Sequence, residues 1–556
     1  MPEHPDSIDL PVTVRTPRPP VSLGGWEFYF LTALFFYAKG LTQFHPLENL
    51  AFAVFLLAPL SLPRWRRVRG LLAWPVAIAL LYHDSWLPPP AHIMANLPEL
   101  LSFNLSYLTE LGARFIRARD IAILVILWGA WYFITQRLRV GVILVGIMAA
   151  LAFTQSLRPT LPASAQNCSG NGGIAVQASA HAGSNIAASG NTTAPLDNIL
   201  DSFYATEATR KVSLTSAAAP AFDIVFIHVC SLSWNDVHAA GLDHHPLWKR
   251  FDILFTQFNS AASYSGPAAL RLLRAPCGQP RQSALYAPAT DACYLMGDLQ
   301  QDGYQRELAL NHDGHFDNFL QLVQQQKLDV APLPLDGLPV TQRAFDNTPI
   351  RDDLDVLSRW LNRRSTEPAS RVALYYNTLS LHDGNRIVGQ NSSSDTLALY
   401  RQRLTQLLDD LDTFMDRIAA SKRNVVLVLI PEHGAAVAGD SMQIAGLRDI
   451  PTPSITRVPV GIKIIGPSQR NGDSVTIDQP TSYLAMSAVL QHLLQQPPFT
   501  GAGFDPATYA RDLPTTRLVS QNADTIVLEH AGRYYLRLDA QSDWTPLPAD
   551  AAGHTP

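Results

Sequence analysis

Apolar positions along the chain follow two regimes. Before residue 160 they form unbroken runs at roughly 26–44, 49–63, 70–87, 120–136 and 140–157. Each approaches the ~17–25 residues that cross a bilayer as a helix, so the pattern predicts five spans, the second at the short limit. After about residue 220 the runs shrink to strand length: FDIVFIHV, FDILFTQFNS, RVALYYNTLSL and NVVLVLI, alternating with stretches of helical period such as SYSGPAALRLLR. Short Val/Ile/Leu runs of this kind are strands buried on both faces, which predicts an α/β domain with a mostly parallel sheet covered by helices. Between the regimes, residues 159–198 are rich in Ala, Ser, Gly and Asn and nearly free of charge, the composition of a flexible linker. The expected organisation is a leader (1–20), a five-span membrane domain (21–158), the linker (159–198) and a soluble domain (199–556).

Charge orients the spans. Arg64, Arg66, Arg67 and Arg69 fall between spans two and three, and Arg137 and Arg139 between spans four and five. The positive-inside rule puts both loops and the amino terminus in the cytoplasm and everything after residue 158 outside it. Arg114, Arg117 and Arg119 run against this scheme, but RWRRVR is denser and shorter. Residues near 92–117 mix apolar and polar positions at helical spacing, as interfacial helices do. A removable signal peptide is not expected, because four further apolar runs follow the first. The charged fraction of 16% lies below the roughly 25% of soluble domains. A net charge of −5 and an isoelectric point near 6.3 exclude a polyanion-binding surface such as nucleic acid requires. Of the four cysteines, Cys277 and Cys293 lie close enough to bridge in an exported, oxidising compartment, and a bridge between Cys168 and Cys230 is also formally open.

Parallel sheets carry their chemistry at the carboxyl ends of strands. The residues following the predicted strands are Cys230, His382 in SLHDGN, and Glu432 with His433 in PEHG. Each has a plain structural role available: small core filler, a loop imidazole, a turn after proline. Together they offer thiolate, imidazole and carboxylate at one sheet edge, a set that suits Zn2+ and disfavours Mg2+ or Ca2+. Ser265 opens a predicted helix, where a hydroxyl is an ordinary cap and an incoming phosphate meets free N–H groups. Beside a metal the same hydroxyl becomes a nucleophile. Tyr264, next to it, is placed to donate its hydroxyl to a phosphoryl oxygen.

These residues, in HVCSLSWNDV, FNSAASYSGPAALRLLRAPCGQ, YYNTLSLHDGN, PEHGAAVAGDSMQIAGLRDIPTPSIT and the closing strand pair around IVLEHAGRYYLRLD, resemble the BcsG family of cellulose phosphoethanolamine transferases over nearly the whole chain. The resemblance implies an alkaline-phosphatase-like (sulfatase-like) domain in the periplasm, anchored in a bacterial inner membrane. It implies zinc held by Cys230, Ser265, Glu432 and His433, with Ser265 as the nucleophile that carries phosphoethanolamine. It also implies that Tyr264, His382 and Arg448 contact the phosphoryl group or acceptor, and that Cys277 and Cys293 form a disulfide. The implied donor is phosphatidylethanolamine, the acceptor the C6 hydroxyls of cellulose, and the partners subunits of a cellulose synthase complex. Alternatives are lipid-dependent glycerol-phosphate transfer, with the same chemistry and another head group, and an accessory scaffold subunit. A sulfatase is disfavoured, because Ala269 stands where formylglycine maturation requires arginine.

Overall fold

The computed structural model describes residues 23–38, 42, 44–59, 62–85, 118–156, 193–216, 221–367, 371–390, 395–466, 469–501, 503–540 and 542–554. The expected leader and interfacial helices, and the linker up to residue 192, lie outside these. The chain divides near residue 186 into two units.

The first unit contains helices Trp26–Ala38, Pro46–Leu57, Pro63–His83, Ala118–Thr135 and Val140–Ser156. They fall on the five predicted runs with shifted ends. Pro46 and Pro63 sit at the first helical positions, where a missing N–H is harmless, and they move both starts forward. The RWRRVR cluster is therefore helical rather than a loop. Among the described residues no single helix is long and apolar enough to cross a membrane, although Ile121–Thr135 and Val140–Thr154, bent by 112°, suffice as a pair. The unit packs around Phe30, Phe52, Ala53, Ala73 and Met148, while Leu71, Trp74, Ile78, Val125, Ile126, Phe133 and Phe153 are exposed.

The second unit is built on a seven-stranded sheet: β1 (Asp223–Val229), β2 (Ile253–Asn259), β3 (Gln305–Leu310), β6 (Val372–Thr378), β8 (Val425–Leu429), β9 (Arg457–Ile465) and β10 (Val475–Ile477), in the order β10-β2-β9-β8-β1-β6-β3. The expected mostly parallel sheet is in fact mixed. β9 runs antiparallel to both β2 and β8, because it returns from the loop that follows β8 at the same edge. A small sheet joins β4 (Val340–Arg343), β5 (Pro349–Arg351) and β7 (Arg386–Ile387), and another joins β11 (Val519–Asn522), β12 (Thr525–His530), β13 (Arg533–Arg537) and β14 (Thr545–Pro546).

Alternation along the strands feeds two cores. Ile224, Phe226, Tyr375, Val426 and Val428 pack against helices Ser265–Leu273 and Tyr483–Gln495. Val225, Ile227, Leu374, Leu427 and Leu429 pack against Asp353–Thr366 and Thr396–Ser421. The latter helix buries Tyr400, Leu404, Leu407, Leu411 and Ile418 on one stripe, as a 3.6-residue period requires. Asp395 caps its start by accepting from Ala398 N–H, and Lys422 ends it in the left-handed region. Residues 193–198, expected within the linker, belong instead to a helix, Thr193–Glu207, whose Leu196, Leu200 and Phe203 cover the sheet β11–β14. At the foot of β1, buried Asp223 accepts from Arg364 Nε (3.1 Å) and Nη2 (2.9 Å), from Arg423 Nε (3.1 Å) and from Val372 N–H (2.9 Å). The carboxylate is thereby fully used, as a buried charge must be.

Candidate metal centre and active site

Register brings the site together. β1 is flanked by β6 and β8, with Val229 opposite Thr378 and Ile227 opposite Leu429. Beyond the last paired residues the backbone keeps bonding: Cys230 N–H to Thr378 O (3.0 Å), Glu432 N–H to Val229 O (2.9 Å) and Leu232 N–H to His433 O (2.6 Å). Three strand ends are thus laced into one edge. Ser231, just past the thiol, is held at φ 69°, a left-handed conformation of order 1–3 kcal/mol for a non-glycine residue. Tyr400 Oη, donating to Ser231 O (2.7 Å), and Arg448, donating to Ser231 Oγ (3.1 Å), fix it there.

Ligand atoms of Cys230, Glu432 and His433, all fully buried, lie within 4.8 Å of one another. Ser265 Oγ is 3.5 Å from Cys230 Sγ. Ser265 is partly exposed at the mouth of the Ser265–Leu273 helix, so the hydroxyl faces both the cluster and solvent.

The donor set fits a zinc ion. His433 Nδ1 donates to Gly434 O (2.9 Å), which leaves the lone pair on Nε2. Nε2 and Glu432 Oε2 are both buried without a hydrogen-bond partner, an arrangement that is costly unless something electrophilic joins them. Glu432 Oε1 accepts from Asn377 Nδ2 (2.6 Å), which turns Oε2 inward. Burial, then the Glu432 charge, pushes the Cys230 thiol up to about 12, and burial raises the Glu432 carboxyl. Burial, then the Arg448 charge, holds His433 well below the usual imidazole range. A bound cation relieves all three by favouring the thiolate, the carboxylate and the neutral ring.

Around the cluster, Arg448 is 9% exposed and its Nη1 stands 3.3 Å from His433 Nδ1. Among the described residues no carboxylate lies within ion-pair distance of its guanidinium. Its Cζ lies 5.5 Å from the centre of the Tyr264 ring, and Tyr264 Oη donates to Asp449 Oδ1 (2.7 Å). His382 is half-buried, its ring centre 5.0 Å from that of Phe345 and tilted 35° to it, and it donates from Nδ1 to Asp383 O (2.8 Å). Burial, then the Arg448 and nearby charges, lowers it to about 4, so near neutrality it presents an unprotonated Nε2.

Cys230, Ser265, Glu432, His433 and Arg448 converge, with Tyr264 and His382 on their margin. Three residues escaped the sequence reading. Asn377 holds Glu432, His228 lies 3.6 Å from Glu432 Oε1, and Ser231 links Cys230 to Arg448. The available signal was a polar residue inside an otherwise apolar strand: His in FDIVFIHV and Asn in RVALYYNT. The disulfide is Cys277–Cys293, and Cys230 is a free thiol.

The fold and this cluster define an α/β domain that sets a helix-borne hydroxyl against a candidate metal centre at a sheet edge. The chain belongs to the BcsG family: residues 26–153 match the cellulose biosynthesis protein BcsG N-terminal domain, and 180–544 its C-terminal domain. The cellulose biosynthesis protein BcsG of Salmonella typhimurium is 41% identical over 543 residues, covering 95% of this chain and 96% of that protein. Its Escherichia coli counterpart is 40% identical over 547 residues, with the same coverage. Among solved structures, the C-terminal periplasmic domain of EcEptC from Escherichia coli in complex with Zn aligns with 56% of this chain and 94% of that one, at 14% identity and a TM-score of 0.40.

Proposed function

We propose that the chain is a zinc-dependent transferase of cellulose biosynthesis, which moves phosphoethanolamine from phosphatidylethanolamine to C6 hydroxyls of cellulose through a phosphoserine-type intermediate on Ser265. The observation that carries this reading is the 3.5 Å approach of Ser265 Oγ to Cys230 Sγ beside two orphaned ligand atoms. Family membership supports the cellulose context. The exposed apolar side chains of the first unit and its bent apolar helix pair support an inner-membrane anchor; the five spans and the periplasmic head are read from the sequence pattern, and the disulfide agrees with that compartment.

Cys230, Glu432 and His433, together with Ser265, are the residues that would hold the zinc. When bound, the ion lowers the proton affinity of the serine hydroxyl and neutralises charge on the phosphoryl group. In the first half-reaction Ser265 Oγ forms a bond to the donor phosphorus as the bond to diacylglycerol breaks, and the serine proton passes by way of His382 to the departing diacylglycerol oxygen. In the second, a sugar hydroxyl displaces Ser265 from phosphorus. Arg448 pairs with phosphoryl oxygens, and Tyr264 holds the guanidinium against its ring face. His382, unprotonated at neutral pH, accepts the proton of the incoming sugar hydroxyl.

The test is to incubate the purified chain with phosphatidylethanolamine labelled in its head group and map the adduct by mass spectrometry. A phosphoethanolamine increment on Ser265, absent in a folded Ser265→Ala variant, is expected. An adduct elsewhere, or full transfer by Ser265→Ala, overturns the assignment. A glycerol-phosphate increment from phosphatidylglycerol in its place overturns the head group and keeps the nucleophile.

A further inference from the structure

A second set of ligating side chains stands apart from the candidate active site, where the short helix Trp234–Ala239 meets residues 549–554. His238 is on that helix, Asp243 lies just beyond the turn at Gly241, and His554 follows Gly553. The two imidazole rings are stacked, 3.9 Å between centres and 12° between planes. His238 Nδ1 is 3.2 Å and His554 Nε2 is 3.9 Å from the same atom, Asp243 Oδ1. One ligand atom from each residue falls within a 4.8 Å group. These separations bracket the edge of a tetrahedron with bonds of about 2.0–2.1 Å, which is ~3.4 Å.

We propose that His238, Asp243 and His554 form a second transition-metal site, of the zinc class. Two imidazoles and one carboxylate suit Zn2+, Ni2+ or Cu2+ and are a poor set for Ca2+ or Mg2+. The backbone holds the three residues side by side, and one ring turns out of the stack to point its lone pair at an ion that the other shares. Ser233 and Asp236 close a capping box at the start of the helix. Leu242 N–H bonds to Val237 O (3.0 Å), and His554 N–H donates to Asn235 Oδ1 (3.3 Å). The side chains are 55%, 26% and 36% exposed, so water completes the coordination and the ion enters directly from solvent.

The site reaches the active centre through the loop that follows His433. Asp236, on the same helix as His238, accepts from Ala435 N–H (2.7 Å) and Val437 N–H (3.2 Å). Asp550, four residues before His554, accepts from Ser441 N–H (2.8 Å) and Ser441 Oγ (2.9 Å). A metal joining His238 to His554 therefore ties together the two segments that grip residues 434–441 from either side. The inference stands on its own geometry and does not depend on the proposed reaction.

The test is zinc titration of the metal-stripped full chain by calorimetry, with bound metal counted by mass spectrometry. Two zinc ions per chain are expected for wild type and one for His238→Ala and for His554→Ala. In those variants the lost site should weaken by more than the roughly 10–100-fold that removal of an outer-shell partner produces. A Cys230→Ser/Glu432→Gln variant should retain the ion that His238→Ala loses, which separates this site from the catalytic one. Backbone hydrogen exchange over residues 549–554 should slow with zinc but not with Ca2+ in wild type, and respond to neither in His238→Ala. A His238→Ala isotherm identical to wild type, or a single zinc lost with Cys230, overturns the proposal. In that case His238 is only hydrogen-bonded to Asp243 and His554 only stacked on its ring.

Discussion

Glu432 Oε2 and His433 Nε2 stand 3.7 Å apart in a pocket closed to solvent, and neither has a hydrogen-bond partner. Two buried ligand atoms left unpaired side by side destabilise the metal-free state. Zinc is expected to stabilise the chain in a His238→Ala background, where only this centre loads, by about 2.7 kcal/mol at a hundredfold excess over Kd. Because the Cys230 thiol and the Glu432 carboxyl are both raised, loading releases protons and affinity rises with pH. Scanning calorimetry with and without zinc, at pH 6 and pH 8, checks both. An unchanged melting temperature would remove the metal from the account.

Asn377 is the positioning residue for Glu432. Its Nδ2 donates to Glu432 Oε1 (2.6 Å) and to His228 O (3.1 Å), and its Oδ1 meets His312 Nε2 (2.9 Å). Asn377→Ala leaves Oε1 free to rotate and should weaken zinc by roughly 10–100-fold. It should also lower stability by about 1–3 kcal/mol through the unpaired buried groups. Competition with a zinc-binding dye reads the first effect and denaturant melts the second. A purely structural role would change the melt and leave zinc affinity alone.

How far the sequence reached follows from which physical rule each feature obeys. Cys230, His382 and Glu432–His433 were legible because a polar residue after a Val/Ile/Leu run marks a strand end, and parallel register then aligns those ends without further information. β9 was not, since RVPVGIKII reads the same in either direction and only tertiary connection sets its sense. Asn377 lies inside a strand, where alternation predicts burial and is silent about a hydrogen bond to a residue 55 positions away. In the first unit apolar length was visible, but Pro46 and Pro63 relocate helix starts. The helix at Thr193 hides in a composition that otherwise reads as linker.

The Cys277–Cys293 disulfide, 16 residues apart, anchors the segment that follows the serine-bearing helix. Closing a loop of that length contributes about 3 kcal/mol, chiefly through the unfolded chain. Cys277→Ser/Cys293→Ser should lose about that much stability while keeping the free Cys230 thiol and the Ser265 adduct at reduced temperature. Chemical denaturation with and without dithiothreitol measures it. Loss of zinc on reduction alone would mean that these sulfurs do more than brace the fold.

The last expectation concerns pH and a site far from the chemistry. Asp410 lies on the inward side of helix Thr396–Ser421, 4% exposed, accepting from Gln406 Nε2 (2.7 Å). Burial, joined by the charges of Asp352 and Asp353, raises its carboxyl to about 8. The folded chain therefore keeps a proton that the unfolded chain gives up near the ordinary aspartate value of about 3.9. Where the folded state binds more protons, stability falls as pH rises. The contribution is fully present below about pH 4 and is lost on passing through pH 8. Asp410→Asn preserves the shape and the contact with Gln406 but does not titrate. Its melting temperature should match wild type at about pH 4 and below and exceed it at pH 9, with the two curves diverging between. Parallel curves across that range would show that Asp410 ionises normally, and the burial argument for this helix face would then be wrong.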